Sequence, residues 1–313
     1  MSGPSPFATW WATYALATGT VSVGLDSAGH AVLSRAVLAL ACGAWLLSVV
    51  SLLQRARGAW RAEVPAVFTT AAAAAVLGTG FSAAGLHPVA WALLALSALL
   101  WAVLLAVEVG GRRGTVFLRC VATQCLAVLA AALAAAESLA WPAHAALVLL
   151  WLGLALYGFA LFRFQPRQVE EGRGDHWFAE GALAVSALAG AQLLSADSSR
   201  LYLWNEDDGD ALRNTAVTLL VLAAVCCVAL LVAELFWPRH HYDARRWATV
   251  FCGAVTAAAT LEVAAALDVD WLAGAGRALL WAAVAAWLAC TAWAAAAARA
   301  SARSSRVRSR ARR

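Results

Sequence analysis

The residues able to do chemistry in this chain are few, and most sit in apolar surroundings. The six histidines, His30, His87, His144, His176, His240 and His241, make no His-xxx-His pair within an apolar run. A metal or haem centre inside a membrane would need such a pair or a Cys/His cluster. His240, His241 and Asp243 lie close together and are a candidate metal site, with a plain polar loop as the simpler reading. The seven cysteines, Cys42, Cys120, Cys125, Cys226, Cys227, Cys252 and Cys290, all fall in apolar stretches without a C-x-x-C pair, as small core residues do. No Gly-rich phosphate loop, nucleophile elbow or H-E-x-x-H occurs, which disfavours an ATP-driven pump and leaves enzyme readings without support. No catalytic residue, metal or cofactor is therefore expected. All 23 basic residues are arginine. Without a lysine there is no Schiff base, which excludes a retinal protein; with the alanine excess, the arginines point to a GC-rich bacterial genome.

What remains is a set of polar side chains inside apolar runs. They are Thr13, Thr18, Thr20 and Ser22; Thr69, Thr70 and Thr79; Thr123 and Gln124; Glu180, Ser186 and Gln192; Thr249, Thr256, Thr260 and Glu262. Glycines such as Gly19, Gly78, Gly181 and Gly190 accompany them. Polar groups are costly in hydrocarbon and normally face a protein interior or a water path. Neutral hydroxyl and amide ends can carry a weakly hydrated anion without trapping it. The expected pore-lining residues are Thr18, Gly19, Gly78, Thr79, Thr123, Gln124, Gly181, Ser186, Gly190 and Thr256, and the candidate proton or charge sites are Glu180 and Glu262.

The elements that must position them are membrane helices. The chain is 63% hydrophobic and 13% charged, with a mean hydropathy of +0.73, far from the composition of a soluble domain. Ten apolar runs of spanning length lie at roughly 7–27, 31–54, 64–85, 87–109, 114–136, 141–163, 176–196, 213–237, 246–268 and 271–298. There is no basic n-region before the first, so a cleaved signal peptide is not expected. Nineteen of the 23 arginines fall on one side of this arrangement, in alternate loops and in the tail; Arg35, Arg200, Arg213 and Arg277 fall on the other. The positive-inside rule then places both termini in the cytoplasm, which ten spans allow. Residues 1–298 read as one transmembrane transport domain, and residues 299–313 as a basic, solvated cytoplasmic tail near anionic lipid headgroups, without fixed structure.

Even spans are richer in bulky apolar residues, which suit lipid contact; the odd spans are richer in small residues and hydroxyls, which suit a protein interior or a pore. Span ten, rich in alanine, departs from this. An all-α fold follows, with odd helices inside and even helices outside, as about five outward-then-inward hairpins. Trp10, Trp11, Trp60, Trp141, Trp177, Trp237, Trp247 and Trp271 stand at span ends and are expected to form an interfacial belt. The stretch 175–191 shows the odd-span character best. Ala179, Ala182, Ser186 and Gly190 share one face of a helix, and Phe178, Val185 and Leu188 another. On its own this is a packing helix; beside four others of the same kind it becomes one stave of a pore.

The odd spans resemble the tellurite-resistance / C4-dicarboxylate transporter family, which includes slow-type anion channels. The matching stretches are residues 16–22 (LATGTVS), residues 121–124 (VATQ), and Trp177, Gly181, Ala182, Ala184, Ser186, Leu188, Ala189 and Gly190. Tyr242-Asp243 and residues 247–251 (WATVF) complete the series. The resemblance implies five helical hairpins around a central pore, a small-anion substrate (halide, oxyanion, sulfite or C4-dicarboxylate), and a homotrimer with one pore per subunit. It implies that Phe251 is the pore gate. Two residues depart from the family pattern: Cys252 replaces the usual proline after that phenylalanine, and Glu180 stands where an apolar residue is usual. A charged Glu180 facing the pore would repel anions by about 1 kcal/mol at contact distance. It must face away, be protonated, pair with an arginine such as Arg119, or mark a different substrate. The alternatives are a proton-coupled exporter of carboxylate or oxyanion on the same fold, with Glu180 or Glu262 carrying the proton, and a non-transporting membrane scaffold with a packed centre. The expected location is the bacterial plasma membrane, with lipid and a small anion as partners and no nucleic acid.

Overall fold

A computed structural model of the chain describes residues 6–55, 64–105, 114–164, 176–198, 201–236 and 246–311. Ten long helices run through them: α1 (Pro6–Ser27), α2 (Ala31–Arg55), α3 (Val64–Ala83), α4 (His87–Leu105), α5 (Leu118–Glu137), α6 (Ala140–Arg163), α7 (Trp177–Ala196), α8 (Glu206–Phe236), α9 (Arg246–Leu267) and α10 (Asp270–Ala311). A short 3-10 turn, Gly114–Phe117, leads into α5. Among the described residues there is no strand. The fold is all-α, as the apolar runs predict.

Four of the five hairpins close with the same turn. An odd helix ends, one residue takes a left-handed conformation, and the next N–H donates back to a carbonyl five residues earlier. The left-handed residues are Gly29 (φ 82°), Gly85 (φ 79°), Ser138 (φ 53°) and Asp268 (φ 55°). The bonds are His30 N to Leu25 O, Leu86 N to Phe81 O, Leu139 N to Ala134 O and Val269 N to Ala264 O, at 2.8–3.1 Å. This is the helix-ending motif that satisfies the last free carbonyls. Two turns use glycine, for which the conformation is free of steric cost, and two use Ser and Asp. The fifth hairpin, α7 to α8, uses a longer connection through residues 197–205.

The odd helices pack side by side in a closed ring: α1 on α3, α3 on α5, α5 on α7, α7 on α9, and α9 back on α1. Each even helix packs on the odd helix before it and touches the next, so the even helices cover the seams of the ring. Burial follows this division. The most apolar stretches of α3, α5 and α7 are each 83% buried and that of α9 is 72%, against 17–33% for α2, α4, α6, α8 and α10. α10 is therefore an outer helix despite its alanine content. Among the described residues nine helices, α2 to α10, are long and apolar enough to cross a membrane. α1 falls short of that hydropathy because it faces other helices, not lipid, and it holds its place in the ring between α3 and α9.

Indole N–H groups fasten the outer layer to the inner one. Trp45 of α2 donates to the Thr70 carbonyl of α3, Trp101 of α4 to Thr123 Oγ1 of α5, and Trp287 of α10 to Thr18 Oγ1 of α1, at 2.8–3.0 Å. Two features differ from expectation. Trp177 and Trp247 are 1% and 0% exposed; they begin inner helices and are core residues, not belt anchors. Trp141 and Trp271 are exposed at 61% and 74%, as a belt residue on an outer helix is. Trp60 and Trp237 lie outside the described residues. The tail is not irregular as far as Ala311: α10 continues through it, as a run rich in alanine and arginine favours.

Candidate functional site

On the axis of the ring lies a cavity to which each inner helix contributes two side chains: Thr20 and Val23, Val76 and Thr79, Cys125 and Val128, Val185 and Leu188, and Val255 and Ala258. Each pair is separated by three residues, one turn of a single helix face. The cavity is small, about 10 Å³, on the order of a single water molecule. The wall is almost wholly apolar. Its two hydroxyls are turned back into their own helices: Thr20 Oγ1 donates to the Leu16 and Ala17 carbonyls, and Thr79 Oγ1 to the Ala75 carbonyl. Their protons are engaged, so this layer offers no free donor to an anion and forms a hydrophobic constriction.

The same faces can be followed along each helix. One turn toward the N-terminal ends of the odd helices stand Leu16, Ala72, Val121, Gly181 and Phe251, all buried. Phe251 is 0% exposed and its ring lies against Gly181. A Cβ at Gly181 would stand 2.6 Å from Phe251 Cε1 and 2.9 Å from Cys252 Sγ, so only glycine permits this approach. Phe178 flanks the ring, with centroids 6.2 Å apart. One turn toward the C-terminal ends stand Ser27, Ala83, Ala132, Gln192 and Glu262, all partly or fully exposed. This line of side chains is thus buried at the Phe251 layer and reaches partly exposed residues at the Glu262 layer. At that layer Ser27 Oγ of α1 donates to Glu262 Oε1 of α9 at 2.6 Å. Asp26 faces the same carboxyl, and Arg35 of α2 faces Asp26.

Glu180 lies off the axial line of α7, at its seam with α9. It is 0% exposed. Thr256 Oγ1 of α9 donates to its Oε1, and its Oε2 has no hydrogen-bond partner. The neighbouring Cys252 thiol donates instead to the Trp177 carbonyl at 2.8 Å. Tyr157 of α6 and Cys226 and Cys227 of α8 face the carboxyl from the outer layer. Of the choices left open for this residue, the geometry takes the first: Glu180 does not face the axis, and the donor on it is a threonine, not Arg119. Cys252 leaves α9 uninterrupted from Arg246 to Leu267.

The ten residues expected to line the pore divide sharply. Thr79 borders the central cavity, and Gly181 lies on the axial face one turn away. The others face helix contacts. Thr18 accepts the Trp287 indole and Thr123 the Trp101 indole. Gln124 donates to the Leu150 carbonyl of α6. Gly19 meets Val76, Gly78 meets Leu129, and Gly190 meets Ala216 of α8. Ser186 bonds back to the Ala182 carbonyl, and Thr256 bonds Glu180. The physical reason is that polar and small residues are also what two helices need at their seam. The residues missed are apolar, chiefly Val76, Val128, Val185, Leu188 and Val255. One signal could have found them on α9: Val255 and Ala258 follow Phe251 at helical spacing, so they share its face. His240, His241, Tyr242 and Asp243 lie outside the described residues. Among the described residues no group of three or more His, Cys, Asp or Glu could hold a metal.

Comparison with curated proteins finds no match. Comparison with known families matches residues 6–295 to SLAC1, the voltage-dependent anion channel family. That match spans every helix of the ring and agrees with its five-hairpin architecture, so this integral membrane chain belongs to the voltage-dependent anion channel family.

Proposed function

We propose that this chain carries small anions across the bacterial plasma membrane along the axis of the five inner helices, with Phe251 as the gate and both termini cytoplasmic. The observation that carries this reading is the axial cavity itself. Two residues from each inner helix line it, and its line of side chains runs from the buried Phe251 layer to the partly exposed Glu262 layer. A scaffold with a packed centre has no need of such an axis. In this arrangement the described geometry is a closed state. The constriction is apolar, its hydroxyl protons are engaged, and an aromatic ring presses on the glycine opposite. Opening requires that ring to rotate off Gly181 and the cavity to wet. The substrate is a halide, oxyanion, sulfite or C4-dicarboxylate, moved by residues 1–298, and the assembly is a homotrimer with one axis per subunit.

The test is anion flux in proteoliposomes. Phe251→Ala is expected to raise chloride or nitrate flux about tenfold or more over the parent, the change that removing about 1.4 kcal/mol of closure produces. If neither protein moves chloride, nitrate, sulfite or malate above empty vesicles, the proposal fails. Glu262 favours a second reading, proton-coupled export of a carboxylate or oxyanion, because it stands on the proposed axial face, at its partly exposed end. A flux indifferent to an imposed pH gradient removes that reading.

A further inference from the structure

The wall beside Phe251 contains a buried carboxyl that anion passage does not call for. Glu180 stands next to Gly181, on which the Phe251 ring rests, and its partner Thr256 is five residues beyond Phe251 on α9. Three of the contacts between the two helices here are Phe251 on Gly181, the Cys252 thiol on the Trp177 carbonyl, and the Thr256 hydroxyl on Glu180; Phe178 also flanks the Phe251 ring. The first is the gate contact. The second ends on a backbone carbonyl and involves no charge. The third joins a side chain of each helix at Oε1 of a fully buried carboxyl whose Oε2 accepts no hydrogen bond, with the Cys252 thiol as the other polar group beside it.

We infer that the Thr256–Glu180 hydrogen bond is a latch that holds α9 against α7 and so keeps the Phe251 ring on Gly181. This rests on the proposed role of Phe251 as the gate. The physical argument is one of asymmetry. Separating α7 from α9 at this level takes the Thr256 donor away from a fully buried carboxyl. Leaving a buried polar group unmade costs more than the bond's net contribution when made. The seam therefore resists opening where Phe251 must move, and this hydrogen bond adds to the apolar packing around it. Glu180 and Thr256 are positioning residues: neither faces the axis, and both act through Phe251.

The experiment measures chloride flux from full-length protein in proteoliposomes, for the parent and for Thr256→Val, Thr256→Ser, Glu180→Gln and Phe251→Ala. Thr256→Val keeps the shape and removes the donor; it is expected to raise flux about three- to tenfold, the shift in open population from losing one interhelical hydrogen bond. Thr256→Ser keeps the donor and Glu180→Gln keeps an acceptor, so both are expected to stay near the parent. In the Phe251→Ala background, Thr256→Val is expected to add nothing, because the ring it releases is gone. If Thr256→Val does not elute as a folded protein, Glu180→Met makes the same comparison from the other side. Should Phe251→Ala raise flux while Thr256→Val and Glu180→Met stay at the parent level, the latch is overturned and the gate stands. If Thr256→Val raises flux equally with and without Phe251, the latch is again overturned, since it acts elsewhere. If Phe251→Ala itself leaves flux unchanged, the gate fails, and the latch with it.

Discussion

Two carboxylic acids of similar burial pattern in the sequence occupy unlike places in the molecule. Glu180 is sealed at the seam of α7 and α9 with Thr256 as a donor. Glu262 stands on the proposed axial face near the other end, held by Ser27 of the neighbouring helix α1. On the proposed path, only the second lies beside the permeating ion. An anion there meets the charge of Glu262 and of Asp26 beside it, an opposition of about 1 kcal/mol per unit charge at contact distance in a wet path. Glu262→Gln is accordingly expected to raise permeation, by about fivefold for a monovalent anion and more for a divalent one, since the repulsion scales with ion charge. Comparing chloride with sulfate flux in the parent and the variant checks this. Equal gains for both ions would show that the carboxyl does not sense the permeating charge.

At the scale of the elements, the seams decide how the inner ring is held. An outer helix offers an indole N–H to the next inner helix at three of them, and α10 to α1 closes the circle through Trp287 and Thr18. Removing one such donor while keeping the aromatic bulk isolates its contribution. Trp287→Phe is expected to lower stability by about 0.6 kcal/mol, the usual size of an interhelical hydrogen bond in a membrane. Thermal unfolding in detergent, followed by intrinsic fluorescence or loss of the monodisperse peak, measures it. Thr18→Val should give a similar loss, and the double variant little more than either, because both remove one bond. Independent, additive losses would show that Trp287 and Thr18 stabilise the fold by separate means.

For the molecule as a whole, five hairpins, four of them closed by the same left-handed turn, set the directions of the helices. Each turn returns an outer helix along the inner one that precedes it, so all five inner helices run in parallel and all five outer ones return. Parallel inner helices put the N-terminal ends, and the Phe251 layer near them, on a single side. In the orientation proposed from the arginine distribution, that side is cytoplasmic. Cysteines placed singly in a cysteine-free background, at Ser2 and at Ser309, should both react with a membrane-impermeant thiol reagent only after the cells are opened. Asn205→Cys in the α7–α8 connection should react in intact cells. Labelling in the opposite sense would reverse the direction in which the gate faces.

The hydropathy pattern alone determined that the chain is a bundle of membrane helices, because a run of apolar residues has no other stable arrangement in lipid. It also separated inner from outer helices for nine of the ten, since lipid selects bulk and helix contact selects small residues. Span ten carried no such signal, because alanine serves both settings, and it is an outer helix as its even place in the series implies. Individual site residues were far less legible. Thr18, Thr123, Gln124 and Gly190 look like pore wall by type, and only the packing shows that each meets a neighbouring helix. Val185 and Val255 look like lipid or core, and only the closed ring turns them to the axis. The same holds for Glu180, whose charge raised the sharpest question in the sequence. Residue type tells what a side chain needs, a donor or an apolar contact or room. The rotation of each helix about its own axis decides which neighbour supplies it, and that rotation is set by side chains on other helices far along the chain.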